Sequence, residues 1–122
     1  MEAKLEAVQP AFVIESPTVA EYVETYFSDM PIMTAVAACE SRFRHFDRHG
    51  DIVRGEANWQ DVGVMQINER FHLETAKDLG YNLYSLEGNV AYARYLFEKE
   101  GTRPWNASKP CWGKERLVAL QS

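Results

Sequence analysis

The chain has 122 residues, of which 46% are hydrophobic and 25% are charged, and its formal net charge at pH 7 is −5. These values are typical of one globular domain with a modest core. The acidic balance gives no sign of nucleic-acid binding and leaves no cationic surplus for holding an anionic polymer by charge alone. No apolar run approaches the roughly 20 residues of a membrane-spanning helix. We expect a monomer that holds its ligand by shape, stacking and hydrogen bonds.

The first residues carry no clear helical or strand period. We expect 1–15 to form an arm ahead of a single domain at 16–122. The start of the chain does not read as a signal peptide, because Glu2 and Glu6 stand where positive charge is expected and no continuous apolar segment follows. If the protein is exported, we expect its signal to have been removed from this chain.

Two helices are predicted in the first third of the domain. The first begins after Pro17, which suits a first helical turn, and Thr18 with Glu21 fits a capping box. Apolar side chains then recur at helical spacing: Val19, Tyr22, Val23, Tyr26 and Phe27. The second helix is predicted to begin near 29–31 and to end at about Phe43.

The second half of the chain predicts further helices. One covers 73–79 and is closed by Gly80, since glycine commonly follows a helix end. The longest covers 85–100, with Ser85 as its cap and Gly101 as its stop. A short final helix is expected after Trp112.

The segment between the second and third predicted helices has a different sequence pattern. Segment 45–68 contains three glycines, little helical period and the short apolar pieces 52–53 and 62–67. It predicts a small β-hairpin or irregular sheet. The fold class is therefore α+β and mostly helical, with one β insert. A groove between helices and insert is a natural place for a ligand.

One acidic residue of the second helix lies beside apolar neighbours. The apolar stripe of that helix is formed at helical spacing by Ile32, Val36, Cys39 and Phe43. Glu40 falls on its flank, near the helix C-terminus, where burial and the helix dipole both raise a carboxyl pKa. Such an acid can protonate a glycosidic oxygen. From its position on the helix alone, the stronger interpretation of Glu40 is a structural salt bridge to Arg42 or Arg44.

Two motifs favour a catalytic role for Glu40 over the structural salt bridge. Segment 39–43, Cys-Glu-Ser-Arg-Phe, is followed about twenty residues later by 63–68, Gly-Val-Met-Gln-Ile-Asn. The pair resembles the helical Glu-Ser and the Gly-Leu-Met-Gln-Ile strand of soluble lytic transglycosylases, in the lysozyme-like superfamily. Segment 88–96 loosely resembles their next helix. Segment 101–112 resembles the C-terminal end of resuscitation-promoting-factor domains, which are small lysozyme-like wall hydrolases. The resemblance covers roughly 30–112.

The resemblance implies a lysozyme-like fold whose β insert forms one wall of the substrate cleft. It implies that Glu40 is the catalytic acid and that Met65 and Gln66 line the cleft. Two cysteines alone leave free thiols and a disulfide open. The resemblance implies a bond between Cys39 and Cys111, and therefore an exported protein of the periplasm, extracellular space or cell wall.

The implied activity is cleavage of the β-1,4 bond between N-acetylmuramic acid and N-acetylglucosamine in peptidoglycan. Glu40 would act as acid and then as base, giving a 1,6-anhydro sugar without consuming water. A hydrolytic muramidase stays open as an alternative, and it normally needs a second carboxylate. Asp61, next to the Gly63 strand, is the best candidate. A catalytically inactive peptidoglycan-binding module is the third alternative.

Further substrate contacts are expected around the cleft. Gly63 would let the backbone approach a sugar, and the amide of Gln66 suits acetamido groups. Trp59 and Trp105 could stack on sugar faces. The tyrosine that contacts the catalytic glutamate in lytic transglycosylases has no clear match here, and Tyr95 and Trp105 are the candidates for that role.

No cofactor or metal is expected. Segment 45–56 superficially follows a calcium-loop frame, with Gly50 and Glu56 at the expected places. However, His45 and His49 stand where calcium requires hard oxygen ligands. A zinc site built from these histidines and Asp47 is equally weak, since such spacings are common in polar loops. A solvated turn is the preferred interpretation.

Overall fold

Four α-helices, two very short strands and a 3-10 helix make up just over half of residues 16–113, the part of the chain that the computed structural model describes. The domain is α+β and mostly helical, as the sequence predicts. In chain order the elements are α1 (Val19–Tyr26), α2 (Pro31–Ser41), β1 (Asp61–Val62), β2 (Ile67–Asn68), α3 (Glu69–Leu79), α4 (Leu86–Glu100) and a 3-10 helix (Arg103–Ser108). The arm expected at 1–15 and most of the helix expected after Trp112 lie outside the described residues.

Local capping chemistry sets the ends of the helices. The capping box of α1 is confirmed, because Thr18 Oγ1 accepts from the Glu21 N–H and Glu21 Oε1 accepts from the Thr18 N–H. Ser85 caps α4, accepting from the N–H of Gly88, and Gly101 follows its end, both as predicted. The prediction for α3 began too late: Asn68 accepts from the N–H of Phe71 and starts the helix at Glu69.

Helix α2 ends two residues earlier than predicted. Arg42 adopts a left-handed conformation with φ of 57°, and its N–H donates to the carbonyl of Ala38. Phe43 follows at φ of 58°. Non-glycine residues seldom adopt this conformation. The chain therefore leaves the helix almost directly after Glu40, at a backbone that carries some strain.

The β insert is an irregular sheet rather than a regular hairpin. Strands β1 and β2 are antiparallel, with Asp61 opposite Asn68 and Val62 opposite Ile67. Isolated bridges join Phe46 to Ile52 and Arg54 to Val62. Segment 63–67, which the resemblance implies is a strand, is mostly a turn at 63–66 that joins the ends of β1 and β2.

A buried asparagine of α4 attaches this turn to the helices. The side chain of Asn89 is fully buried and accepts from the N–H of Met65 at 2.9 Å. Its amide donates to the carbonyls of Val62 at 3.1 Å and Leu83 at 2.9 Å. Three hydrogen bonds from one side chain therefore satisfy backbone groups of the insert and of the loop before α4.

A buried histidine makes the second attachment. Nδ1 of His45 accepts from the N–H of Val64 at 3.0 Å, so Nε2 carries the proton and donates to the Tyr84 carbonyl at 2.9 Å. A Cβ at Gly63 would lie 2.7 Å from His45 Cε1 and 2.4 Å from Asn89 Nδ2. Gly63 is therefore required for the insert to reach both side chains.

The hydrophobic core lies between the helices and continues under the insert. Its largest buried members are Trp112, Tyr92, Phe27, Met33, Met65 and Ile67. The predicted disulfide is present, with Cys39 and Cys111 joined across 72 residues. It ties the end of α2 to the segment after the 3-10 helix. Within 16–113, no helix is long and apolar enough to cross a membrane.

Candidate active site

Glu40 occupies the last turn of α2 and is half-buried. Its Oε2 accepts a hydrogen bond from Ser108 Oγ at 2.6 Å. Among residues 16–113 it forms no ion pair, so the salt bridge to Arg42 or Arg44 is absent there. Burial raises the pKa of Glu40; the Ser108 hydrogen bond opposes this shift, and the charge of Asp61 adds to it.

Ser108 can satisfy both protonation states of this carboxyl group. Its Oγ lies 2.6 Å from Glu40 Oε2 and 3.1 Å from the carbonyl oxygen of Trp105. When Glu40 is ionised, the hydroxyl can donate to it. When Glu40 is protonated, the acid can donate to Ser108, which can then donate to Trp105. A hydroxyl with two acceptors in reach suits a group that must give up a proton and take one back.

A cavity of about 370 Å³ opens beside Glu40, between the helices and the β insert. Glu40, Asp61 and Gln66 contribute polar groups to its lining. Phe71 contributes an exposed aromatic face, and the buried Trp105 lies behind the cavity wall. Aromatic faces beside carboxyl and amide groups form the kind of surface that sugars bind.

A second cavity, of about 510 Å³, also contains Glu40 and Gln66 in its lining. The other lining residues are mostly charged: Arg42, Arg44, Asp47, Arg54 and Glu56. Glu40 therefore lies where a more aromatic cavity meets a more charged one. We call the two together the groove. It lies between the helices and the β insert.

Asp61 begins β1 and lines the same cavity as Glu40. One of its oxygens accepts from Asn68 Nδ2 at 3.1 Å. Its negative charge contributes to the raised pKa of Glu40, which requires the two carboxyl groups to lie within electrostatic range. The structure thus brings the expected acid and the expected second carboxylate to one cavity.

Gln66 lines both cavities, as expected for a residue of the cleft. It holds a left-handed backbone conformation, with φ of 52°. Its Nε2 donates to the carbonyl of Gly63 at 3.1 Å. The side-chain amide is therefore fixed by its own turn before any ligand arrives.

Three residues expected to touch substrate belong to the core instead, and one of them is Trp105, which is only 2% exposed. Met65 is fully buried, and its carbonyl accepts from Trp105 Nε1 at 2.8 Å. Gly63 is buried against His45 and Asn89. The Gly-Val-Met part of the motif therefore positions Gln66, since its small and apolar residues fill space behind the groove.

The two candidates for orienting Glu40 lie elsewhere or have other partners. Tyr95 packs against Tyr92 on α4, with ring centroids 5.3 Å apart, and accepts from Lys99 Nζ at 3.4 Å. Trp105 lines the groove, but its indole N–H donates to Met65. The hydroxyl on Glu40 comes from Ser108, three residues after Trp105. Nothing local in the sequence distinguishes this serine from a surface one.

Two exposed aromatic residues lie on the insert and on α3. Trp59 is 66% exposed, and the guanidinium of Arg54 lies 3.7 Å from its ring centroid. Arg54 is held in turn by Glu69 at 2.8 Å. Phe71 is 72% exposed and lines the aromatic cavity. Sequence reasoning missed Phe71 because it placed the start of α3 beyond this residue.

The segment that resembles a calcium loop folds as a turn. One Asp47 oxygen accepts from the N–H groups of His49 and Asp51, at 2.8 and 3.0 Å. His45 uses both ring nitrogens on backbone groups. Across 16–113, no group of three His, Cys, Asp or Glu side chains is arranged to hold a metal ion.

Comparison of the chain with family models, with curated proteins and with solved structures found no significant match. A function for this groove is therefore argued from its geometry and from the motifs at 39–43 and 63–68. Those two segments meet in the fold, because Glu40 from the first and Gln66 from the second line the same cavities.

Proposed function

We propose that this protein cleaves the glycan strands of peptidoglycan between N-acetylmuramic acid and N-acetylglucosamine, with Glu40 as the acid. The observation that carries the proposal is the state of that carboxyl group. It is half-buried where two cavities meet, its pKa is raised, and a hydroxyl group holds it in place. A carboxyl that retains its proton can protonate a leaving-group oxygen.

The proposal includes a lysozyme-like fold. Three features support it: an acid at the end of a helix, a small antiparallel insert across a groove, and the motif order along the chain. The disulfide beside the acid matches the cysteine pattern of resuscitation-promoting-factor domains. It is also compatible with an exported protein, as a wall enzyme must be.

The leading route uses Glu40 twice. The acid gives its proton to the glycosidic oxygen, the bond from that oxygen to C1 of the muramic acid breaks, and N-acetylglucosamine leaves with a free 4-hydroxyl. The Glu40 carboxylate, held by Ser108, then takes the proton of the muramic 6-hydroxyl as its oxygen attacks C1. The product ends in a 1,6-anhydro ring, and Glu40 is protonated again.

Hydrolysis is the second candidate, and Asp61 is the observation that favours it. A carboxylate in the same cavity as the acid could activate a water molecule or stabilise positive charge at C1. Water would then replace the 6-hydroxyl as the nucleophile, and the product would carry a reducing end.

Mass spectrometry of sacculi digested with the purified protein tests both candidates. An anhydro product is lighter by one water than the corresponding hydrolytic product. The Glu40→Gln variant is the matched control, since it keeps the shape of the side chain but cannot donate a proton. Intact sacculi after treatment with the folded wild-type protein would contradict the enzymatic proposal and favour a glycan-binding module.

A further inference from the structure

The charged cavity is chemically different from its neighbour. Three arginines line it together with the proposed acid: Arg42, Arg44 and Arg54. We infer that this cavity binds the carboxylates carried by the O3 substituent of the muramic acid, chiefly those of the peptide stem. The inference rests on the proposed function and adds to it a preference for peptide-bearing strands.

Arg42 is placed in this cavity by the backbone. It is the first residue after α2 and adopts the left-handed conformation, which carries its exposed side chain to the groove side of the chain reversal. In residues 16–113 it has no carboxylate partner.

The Nε atom of Arg44 is hydrogen-bonded within the protein, and its terminal nitrogens are available to a ligand. Its Nε donates to the carbonyl of Ser41 at 2.9 Å, which anchors the guanidinium plane. No described carboxylate pairs with its terminal nitrogens. Arg54 differs, because Glu69 binds it and Trp59 covers it. The two arginines after α2 are therefore the ones free to receive an anion.

The carboxylates of the same cavity do not form ion pairs with these two arginines. One Asp47 oxygen accepts from the backbone N–H groups of its own turn. Glu56 is exposed and makes no ion pair with another described residue. Glu40 accepts from Ser108 and forms no ion pair with a described arginine. The terminal N–H groups of Arg42 and Arg44 therefore stay available to a carboxylate of the ligand.

The substrate has its carboxylates at the matching place. Muramic acid carries a lactyl ether on O3, two ring atoms from the C1 at which the bond breaks, and the peptide stem extends from that lactyl group. If C1 lies at Glu40, the O3 substituent must leave the sugar close to it. The charged cavity, which shares Glu40 with the aromatic one, can receive that substituent while the sugar rings lie on the aromatic side. Planar guanidinium groups suit carboxylates.

Binding measurements with a proton-dead protein test this inference without requiring catalysis. The parent is Glu40→Gln, and the test variant adds Arg42→Asn and Arg44→Gln; asparagine tolerates the left-handed conformation that position 42 requires. Arg70→Gln on α3, exposed and outside both cavities, is the matched control. The probes are a muramyl tetrasaccharide with its peptide stems, the same fragment after amidase treatment, and chitotetraose, which has no carboxylate.

We expect the double arginine change to weaken binding of the stem-bearing fragment roughly fivefold to tenfold, the scale of two accessible ion pairs. Chitotetraose binding should not change, and Arg70→Gln should leave all three affinities unchanged. Amidase frees the lactyl carboxylate when it cuts the amide bond to the stem, so equal loss with that fragment would show that the arginines accept any carboxylate on O3 and would overturn the preference for peptide-bearing strands. Equal affinity of parent and double variant for every probe, or no binding by the parent, would overturn the inference.

The two proposals fail separately. If the wild-type protein releases no product from sacculi but the arginine dependence of binding persists, the enzymatic proposal fails and the carboxylate site stands. If product forms and the arginine changes affect neither binding nor the yield from stem-bearing strands, only the carboxylate site fails. Thermal denaturation of each variant checks that lost binding does not come from lost folding.

Discussion

The hydroxyl of Ser108 lies 2.6 Å from the carboxylate of Glu40, although 68 residues separate them in the chain. A disulfide joins the segments that bear them, since Cys39 directly precedes the acid and Cys111 follows the serine by three residues. The crosslink therefore restrains the separation of the acid and its hydrogen-bond donor.

Replacing the acid should lower activity and raise stability. Glu40→Gln removes the proton donor, so we expect at least a hundredfold loss of glycan cleavage. Because the folded-state pKa of Glu40 is raised, ionisation favours the unfolded chain once the pH exceeds the ordinary carboxyl value. Glu40→Gln should therefore be more stable than the wild-type protein at pH 7. Urea denaturation at pH 7 and below pH 4 measures this, and the advantage should disappear at the lower pH.

Removing the hydroxyl at position 108 should change the pH profile. The Ser108 hydrogen bond lowers the pKa of Glu40, so Ser108→Ala should raise that pKa further. The activity that depends on protonated Glu40 should then persist to higher pH. The maximal rate should fall roughly tenfold, because a hydrogen bond to the developing carboxylate is lost. Ser108→Thr, which keeps a hydroxyl, is the control, and an unchanged profile for Ser108→Ala would contradict the assigned role.

Loss of the disulfide should cost stability. In the chain-entropy model a bond that closes a loop of this length contributes roughly 4 kcal/mol. Replacing Cys39 and Cys111 together with serine should lower the free energy of unfolding by an amount of that order, measured with urea. Activity at a temperature where the variant stays folded should also fall, since Ser108 is no longer held against Glu40. Full activity in the folded double variant would show that the crosslink does not position the site.

Acidification should destabilise the fold through a buried base. Burial lowers the pKa of His45 below 6.5. The unfolded chain takes up a proton near its ordinary pKa of about 6.5, whereas the folded chain does not, so stability falls as the pH drops below that value. Burial also lowers the pKa of His72, so this residue too makes stability fall as the pH drops. His45→Gln should show a weaker dependence of unfolding free energy on pH between 7.5 and 5.5 than the wild type does. An unchanged slope in His45→Gln would contradict this prediction.

Truncation of the exposed aromatic side chain in the groove should weaken substrate binding. Phe71→Ala should raise KM on soluble glycan fragments about threefold to tenfold, the scale of one lost aromatic contact. Stability should change little, because the side chain is 72% exposed. Leu79→Ala, which removes a partly exposed apolar side chain at the other end of α3, is the control. Unchanged KM in Phe71→Ala would show that glycan does not reach this wall.

The end of a helix could be predicted from the sequence where its capping residues are close neighbours in the chain. The capping box at Thr18 and the caps of α4 depend on neighbours within a few positions, and they formed as expected. The start of α3 could not be predicted in this way, because Asn68 both ends β2 and caps the helix. Strands of two residues carry too little alternation to separate 62–67 into two ends and a turn.

A site residue could be predicted where it belongs to a sequence motif. It could not be predicted where only the folded structure brings it to the site. Glu40 and Gln66 follow from their motifs and line one groove. Ser108 does not, because its contact with Glu40 depends on how the 3-10 helix packs against α2. Met65 was expected in the cleft because it shares a motif with Gln66. Met65 precedes Gln66 by one position in the turn, and its side chain is buried in the core instead.

Asn89 has a consequence for the dimensions of the groove. Its side chain spans from α4 to the turn that carries Gln66, and it bonds backbone groups on both sides. The position of the turn relative to α4 is therefore held by one amide side chain, alongside the attachment through His45. A longer or shorter residue at position 89 would lose these hydrogen bonds and let Gln66 shift, which would change the width of the groove at that residue.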